Sequence, residues 1–334
     1  LVLVNFDLPY GVSGVSERHY YGTGLVVDTE RGYVVVDRNT VPVAMGDVKL
    51  TFASSLEVPG RVEFIHPLHN LAIVAYDPAL IGDTPVRAAD FSTRPLGQGD
   101  DVWVIGLKPD QKLKIQETEI SSIDAISFPL SRTFRFRETN VETMSVVNAP
   151  TDIDGVLVDK RGNVAAMWSS FAFQGGGQVN MGMPAELVVE MLDIVRGGGT
   201  LRSLETEFTL LPLASARNLG LDDEWVRKLE KHNPARRQAL RVVRLVAETP
   251  ASKVLRSGDL LLAIDGQAVN TFRGVEKRVR DAEKVTVTIW RDDEARNIDI
   301  ETVELVGEGI DHVLVWAGAQ LQRPHRAMAA QRGI

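Results

Sequence analysis

The chain has 334 residues, a net charge of −8 and no basic block, which argues against a nucleic-acid surface. It contains no cysteine, so disulfides, thiol catalysis and thiolate metal sites are excluded. The longest apolar runs, such as YVVV and LVLV, are far too short to span a bilayer, and the length makes two domains the natural expectation.

Up to about residue 183 the pattern is a series of short β-rich runs: GTGLVVD, GYVVVD, VKLTF, VEFI, LAIVAYD, DVWVIGL and NVAAMW. Turn chemistry such as TERG, AMGD and DKRG separates them, and no long helix intervenes, so a β-barrel or sandwich is expected. The chain opens at Leu1 inside such a run, without a signal peptide, and is expected to be a segment of a longer polypeptide. A helix is predicted over 185–196, where Leu187, Val188, Met191, Leu192 and Val195 form one apolar stripe. Gly197, Gly198 and Gly199 end it and make a linker.

From about Leu201 the texture becomes that of a small α+β unit. Asp222 caps a helix bearing Trp225, Val226 and Leu229, which Asn233-Pro234 stops. RVVRLV predicts a strand, and Thr249 with Pro250 opens a short helix. LLLAIDGQAV reads as a hairpin turning at Asp265-Gly266. Thr271 caps a further helix whose Phe272, Val275 and Val279 face inward, and VTVTIW and NIDIETV are alternating strands. In the tail, HVLVWAGAQL predicts one apolar strand and HRAMAAQRGI a short helix. RAMAAQRGI also echoes ASARNLGL. Either two domains begin alike, or two unrelated Ala-rich helices end in glycine.

In this order the segments resemble the HtrA/Deg family of serine proteases, a trypsin-like double β-barrel followed by PDZ domains. GYVVVDRNTV places Asn39 at the family's catalytic histidine. HPLHNLAIVAYD places Asn70 at its aspartate, and TDIDGVLVDKRGNV places Ile153 at its serine. VNMGMPAELVVEMLDIVRGG matches the closing strand and helix, and RVVRLVAETPASKVLRSGDLLLAIDGQAV matches a PDZ unit. The chain is most similar to the degenerate second protease unit and PDZ unit of the long tandem members. The resemblance implies a mainly β fold: a trypsin-like double β-barrel over 1–199 lacking the triad, an α+β PDZ domain over 200–305, and the start of a further PDZ-like unit over 306–334.

Acyl transfer needs a nucleophile, a base, an orienting acid and an oxyanion hole. Ile153 has no nucleophilic atom, Asn39 takes no proton near neutral pH, and Asn70 carries no charge. In the oxyanion loop Thr151, Asp152 and Asp154 stand where the family has flexible or neutral residues. Two carboxylates there oppose a developing oxyanion, at roughly 3 kcal/mol for one charge ~5 Å away at an effective dielectric near 20. His66 and His69 read as turn residues around Pro67 and not as zinc ligands, and His19 as a loop residue. Ser145, Ser169 and Ser170 read as strand and loop residues.

The resemblance also implies a peptide groove at Leu204, Glu205 and Thr206, with Phe272 and Val275 opposite. Glu205 replaces a flexible glycine there and weakens the case for carboxylate capture. The groove either binds chain ends or packs on its own protease-like domain and binds nothing. The expected role is a pseudoprotease segment serving assembly, substrate capture or regulation. The alternatives are an active serine endopeptidase with an unrecognised site and a PDZ peptide-binding module. Implied partners are unfolded polypeptide or protein C-termini, other units of the same parent chain, and further copies in a homo-oligomer. Neither cofactor nor metal is expected. A bacterial source would imply the cell envelope.

Overall fold

The structure, a computed structural model, describes residues 1–12, 15, 18–128, 138–173, 177–197 and 199–324. Twelve strands come first: β1 (Val2–Asp7), β2 (His19–Asp28), β3 (Tyr33–Val36), β4 (Asp47–Phe52), β5 (Leu56–Ile65), β6 (Ala72–Tyr76), β7 (Asp101–Leu107), β8 (Leu113–Ala125), β9 (Glu142–Val146), β10 (Gly155–Val158), β11 (Val164–Phe173) and β12 (Gly177–Pro184). They form two closed barrels, in the orders β1-β2-β3-β6-β5-β4 and β10-β11-β12-β9-β8-β7. The expected double β-barrel is therefore present.

Strand period explains why runs such as YVVV are buried throughout. Successive side chains point to opposite faces. Val34 and Val36 fill the first barrel with Val4, Leu50 and Val74. Tyr33 and Val35 face the other way, into a layer between the barrels that also holds Ile73, Val156, Met167 and Met183. The second barrel has its own filling of Val102, Val104, Ile120, Leu157 and Trp168. Each fully buried Val or Leu contributes about 1.5–3 kcal/mol, so both faces of the central strands stabilise the fold.

Helix α1 (Ala185–Gly197) lays Leu187, Val188, Met191 and Leu192 onto the inter-barrel layer. Arg196 in its last turn donates to the Asp28 carboxylate at 2.8 Å and to the Val27 carbonyl at 3.1 Å.

The α+β unit contains β13 (Leu201–Ser203), β14 (Thr206–Pro212), α2 (Leu213–Asn218), α3 (Asp223–His232), β15 (Gln238–Leu245), α4 (Pro250–Val254), β16 (Leu260–Ile264), β17 (Gln267–Ala268), α5 (Phe272–Val279), β18 (Lys284–Arg291), β19 (Glu294–Glu301) and β20 (Val303–Leu305). Its main sheet runs β14-β15-β16-β18-β19, which leaves β14 on the edge. The helix starts follow the capping chemistry: Asp222 accepts from Trp225 N, Thr249 from Ser252 N and Thr271 from Gly274 N. Asp265 and Gly266 both take positive φ, 48° and 73°, as a tight hairpin requires.

After β20 the chain returns to the first barrel. Ile65 N donates to the Gly307 carbonyl at 2.8 Å, and Ala44 N and Met45 N donate to the Ile310 carbonyl at 2.9 and 3.0 Å. Gly307 lies flat on Phe64, where an added Cβ would come within 2.0 Å of the ring. Ile310 joins the first barrel's core. Its replacement by Ala should cost about 2–5 kcal/mol, read as a lower urea midpoint; an unchanged midpoint would show that this segment is not held there.

The tail differs from the single strand expected over HVLVWAGAQL. It is a hairpin of β21 (Val313–Trp316) and β22 (Ala319–Gln322), because Ala317 and Gly318 take φ of 47° and 81° and reverse the chain. Leu314, Val315, Trp316 and Leu321 are exposed. The helix expected beyond it, over 325–334, lies outside the described residues. No helix among the described residues is long and apolar enough to cross a membrane.

Candidate functional site

Asn39 and Asn70 both meet Ser170 on β11. Asn39 Nδ2 donates to Ser170 Oγ at 2.8 Å, and Asn70 Nδ2 donates to the Ser170 carbonyl at 2.8 Å. Asn70 Oδ1 accepts from Arg38 N at 2.9 Å. Ser170 in turn donates its N–H (2.8 Å) and its hydroxyl (3.1 Å) to Asp37 Oδ2. Ser170 and Asp37 are each 3% exposed. Ser170 is a strand residue, as read from the sequence, and it also joins both asparagines.

Ile153 does not join this cluster. It is buried in the second barrel's core with Val102, Val104 and Trp168, and its carbonyl accepts from Asn180 Nδ2 at 2.8 Å. Gly155 pins the loop: its φ is 148°, and a Cβ there would lie 2.1 Å from the Ile105 carbonyl oxygen. Asp154, next in the chain, reaches the first barrel and accepts from Thr23 N at 2.9 Å. Its carboxyl also borders Gly22, alongside Thr40.

Burial pushes the Asp154 carboxyl up to about 7, and the neighbouring Asp37 adds to the shift. Asp37 is raised too, by burial, against the Ser170 and Thr40 N–H groups that favour its anion. Asp152 is a separate case. It is exposed and paired with Lys114, whose hydrogen bond holds its carboxyl below the usual range. Asp152 thus stays an anion paired with lysine at the surface, and Asp154 holds a proton over much of the acidic range and ionises as the pH passes about 7.

His66 and His69 occupy the expected turn, where His66 Nδ1 accepts from Leu68 N and His69 N at 3.1 and 3.0 Å. His69 does more. It is 1% exposed, with Nδ1 2.7 Å from Glu138 Oε1 and Nε2 2.8 Å from Glu276 Oε1. Burial opposes its charged form, but Glu276 and Glu138 outweigh that and hold its pKa at about 10. Burial likewise works against the Glu276 anion, and His69 and Arg273 outweigh it, so its pKa is lowered. Burial pushes Glu138 up, against the pull of His69. An imidazolium thus links the first barrel to the second and to α5. Among the described residues, no His/Cys/Asp/Glu group is arranged to hold a metal ion. His19 sits exposed on β2, 2.5 Å from Asp7 Oδ1.

The expected groove residues do come together. Leu204, Thr206, Phe272 and Val275 line one cavity of about 30 Å³ with Phe208 and Val279. Glu205 sits in the adjoining turn at φ 53°, the left-handed backbone that glycine adopts more readily. Its N–H donates to Ser203 Oγ at 2.9 Å.

A family model described as PDZ domain matches residues 221–302. The chain is 30% identical to Protease Do-like 7 of Arabidopsis thaliana, over 99% of this chain and 34% of that protein. It is 31% identical to the pro-apoptotic serine protease NMA111 of Phaeosphaeria nodorum, over 99% of this chain and 33% of that protein. Among solved structures, the HtrA-type protease AlgW with tripeptide superposes with a TM-score of 0.62 at 19% identity, covering 91% of this chain and 93% of the other. The chain is HtrA-like, a trypsin-fold protein with a PDZ domain.

This HtrA-like chain spans about a third of the length of these curated relatives. Of the three residues expected at the triad positions, Asn39 and Asn70 meet at Ser170 and Ile153 stands apart. Nothing around Ser170 has a nucleophile's setting, so its meeting with both asparagines was not legible in the sequence. Nor was the His69 clamp visible: Glu138 and Glu276 lie 69 and 207 residues away. Its one local signal was a histidine in a turn.

Proposed function

We propose that this HtrA-like segment, a trypsin-like unit over 1–199 and a PDZ domain over 200–305, is non-catalytic. In this reading it serves assembly, substrate capture or regulation within a longer protease chain, as a homo-oligomer. The observation that supports it is the placement of residue 153. At the position matching the family's serine, Ile153 faces a barrel core and not the space between barrels. A carboxyl, Asp154, takes the inter-barrel position, where an oxyanion would need donors instead. The relatives named as serine proteases are about three times longer, so cleavage is assigned to another unit of such a chain.

One observation favours the rival reading of an active hydrolase. The Ser170 hydroxyl donates to a carboxylate, as an activated nucleophile's does toward its base. Its burial and the absence of an imidazole among its hydrogen-bond partners in the described residues weigh against it. A fluorophosphonate probe decides between them. The native chain should remain unlabelled. So should a variant carrying Asn39→His, Asn70→Asp and Ile153→Ser, because a serine at 153 inherits the core-facing position. Stoichiometric labelling of the native chain at Ser170 would establish the rival. Labelling of the triple variant would refute the geometric argument.

A further inference from the structure

The PDZ groove lies between β14 and α5. Because β14 is a sheet edge, its outward N–H and C=O groups are open to an added strand. Two of them are already taken. Asn140, in the segment before β9, donates Nδ2 to the Thr206 carbonyl at 2.8 Å. Its Oδ1 accepts from Phe208 N at 2.8 Å. A carboxamide carries a donor and an acceptor in one plane, as a main-chain peptide group does. One side chain therefore stands in for one residue of a bound strand.

Asn140 is itself held. Its φ of 54° is a left-handed conformation that asparagine tolerates. Two residues earlier, Glu138 bonds His69 Nδ1 at 2.7 Å and accepts from Asn70 N at 2.6 Å. His69 Nε2 meets Glu276 on α5, the opposite wall of the groove. Arg273, also on α5, pairs with Glu276 and with Glu190 of α1. The contact that fixes the plug therefore also fixes the helix the plug faces.

The end of the groove where a terminal carboxylate would sit is poorly suited to one. Such capture needs free N–H groups in the turn before the strand. Glu205 N is committed to Ser203 Oγ. The Arg202 guanidinium is committed to Thr302 and Glu304. Glu205 itself adds an acidic side chain to that turn. The main-chain edge and the apolar wall of Leu204, Phe208, Phe272, Val275 and Val279 are what remain.

We propose that the PDZ groove is a peptide site held shut by Asn140 acting as an internal ligand mimic, and that it accepts an internal stretch of extended polypeptide with an apolar side chain rather than a chain's terminal carboxylate. An incoming strand must displace both Asn140 hydrogen bonds before its own form. The proposal rests on the groove alone and stands or falls separately from the loss of catalysis.

The test uses the full chain and a fluorescein-labelled pool of octapeptides. Central positions are randomised among Val, Leu, Ile, Phe and Thr, and the pool is made once as free acid and once as amide. Fluorescence anisotropy should show Asn140→Ala binding the pool about 10–30-fold more tightly than the native chain, the effect of two hydrogen bonds of ~1 kcal/mol each. Acid and amide should bind alike. Equal binding by native and variant chains, or no binding by either, overturns the proposal. A tenfold preference for the acid overturns the ligand class. Hydrogen exchange adds a readout that needs no ligand. The Phe208 amide should exchange about tenfold faster in Asn140→Ala, while the Val242 amide, bonded to the Asp259 carbonyl, keeps its rate. Unchanged Phe208 exchange in the folded variant also counts against the plug. If Asn140→Ala fails to fold, Asn140→Asp, which keeps the acceptor for Phe208 N but opposes the Thr206 carbonyl, carries the same expectations.

Discussion

Replacing Asp154 by Asn should stabilise the folded chain at pH 8 and leave it nearly unchanged at pH 4. In the unfolded chain this carboxyl ionises around its ordinary 3.8, whereas in the folded chain it does so at about 7. Between those values the folded state holds the extra proton. Stability therefore falls as pH rises through that window and is level above it. The loss has an upper value of about 4 kcal/mol, at 1.36 kcal/mol for each pKa unit. An asparagine has no proton to lose, and its Oδ1 can still accept from Thr23 N. We expect a gain of about 2–4 kcal/mol at pH 8, measured by urea unfolding at pH 4, 6 and 8. A destabilised variant at pH 8, or the same gain at every pH, would contradict the raised carboxyl. The consequence for function is direct: where a protease stabilises a new negative charge, this cleft already resists the charge of Asp154.

His69→Ala carries the second large effect. Removing one partner from a buried ion pair leaves a carboxylate without compensation and costs about 3–5 kcal/mol. The share due to His69 is fully present below its ordinary pKa of 6.5 and is lost as pH rises through about 10. The share due to Glu276, whose pKa is lowered, is present above its ordinary 4.5 and is lost as pH falls. The clamp is thus strongest between about 4.5 and 6.5 and fades on either side. Because His69 sits on the first barrel and Glu276 on α5, its loss should also free the PDZ domain to move. Limited proteolysis at the 197–200 linker, together with urea unfolding at pH 6, checks both effects. A loss below ~1 kcal/mol with an uncut linker would mean that the clamp carries little of the domain contact.

Much of the fold was legible because its signals are local. The apolar run YVVV, the alternation in VTVTIW, the caps at Asp222, Thr249 and Thr271, and the Asp265-Gly266 turn each depend on neighbours in sequence, and each appears in the structure. The tail departs from the expected single strand at WAGA, where Ala317 and Gly318 reverse the chain. Positive φ at Ala317 is not signalled by alanine, which rarely adopts it.

The sequence by itself determined the chemistry available to each position. Ile153 can supply no nucleophile and Asn70 no charge, whatever surrounds them. The alternating side-chain direction along each strand followed in the same way, since the backbone sets it. Only the tertiary structure decided which of these groups meet. It turned Ile153 into the second barrel and Asp154 toward the first. It tied both asparagines to Ser170. It also brought Glu138 and Glu276 to His69, and Asn140 to the edge of β14. The physical reason is that desolvation and charge pairing depend on distance in space. Partners far apart in the chain are juxtaposed by the packing of barrels and PDZ domain, and no periodicity records that.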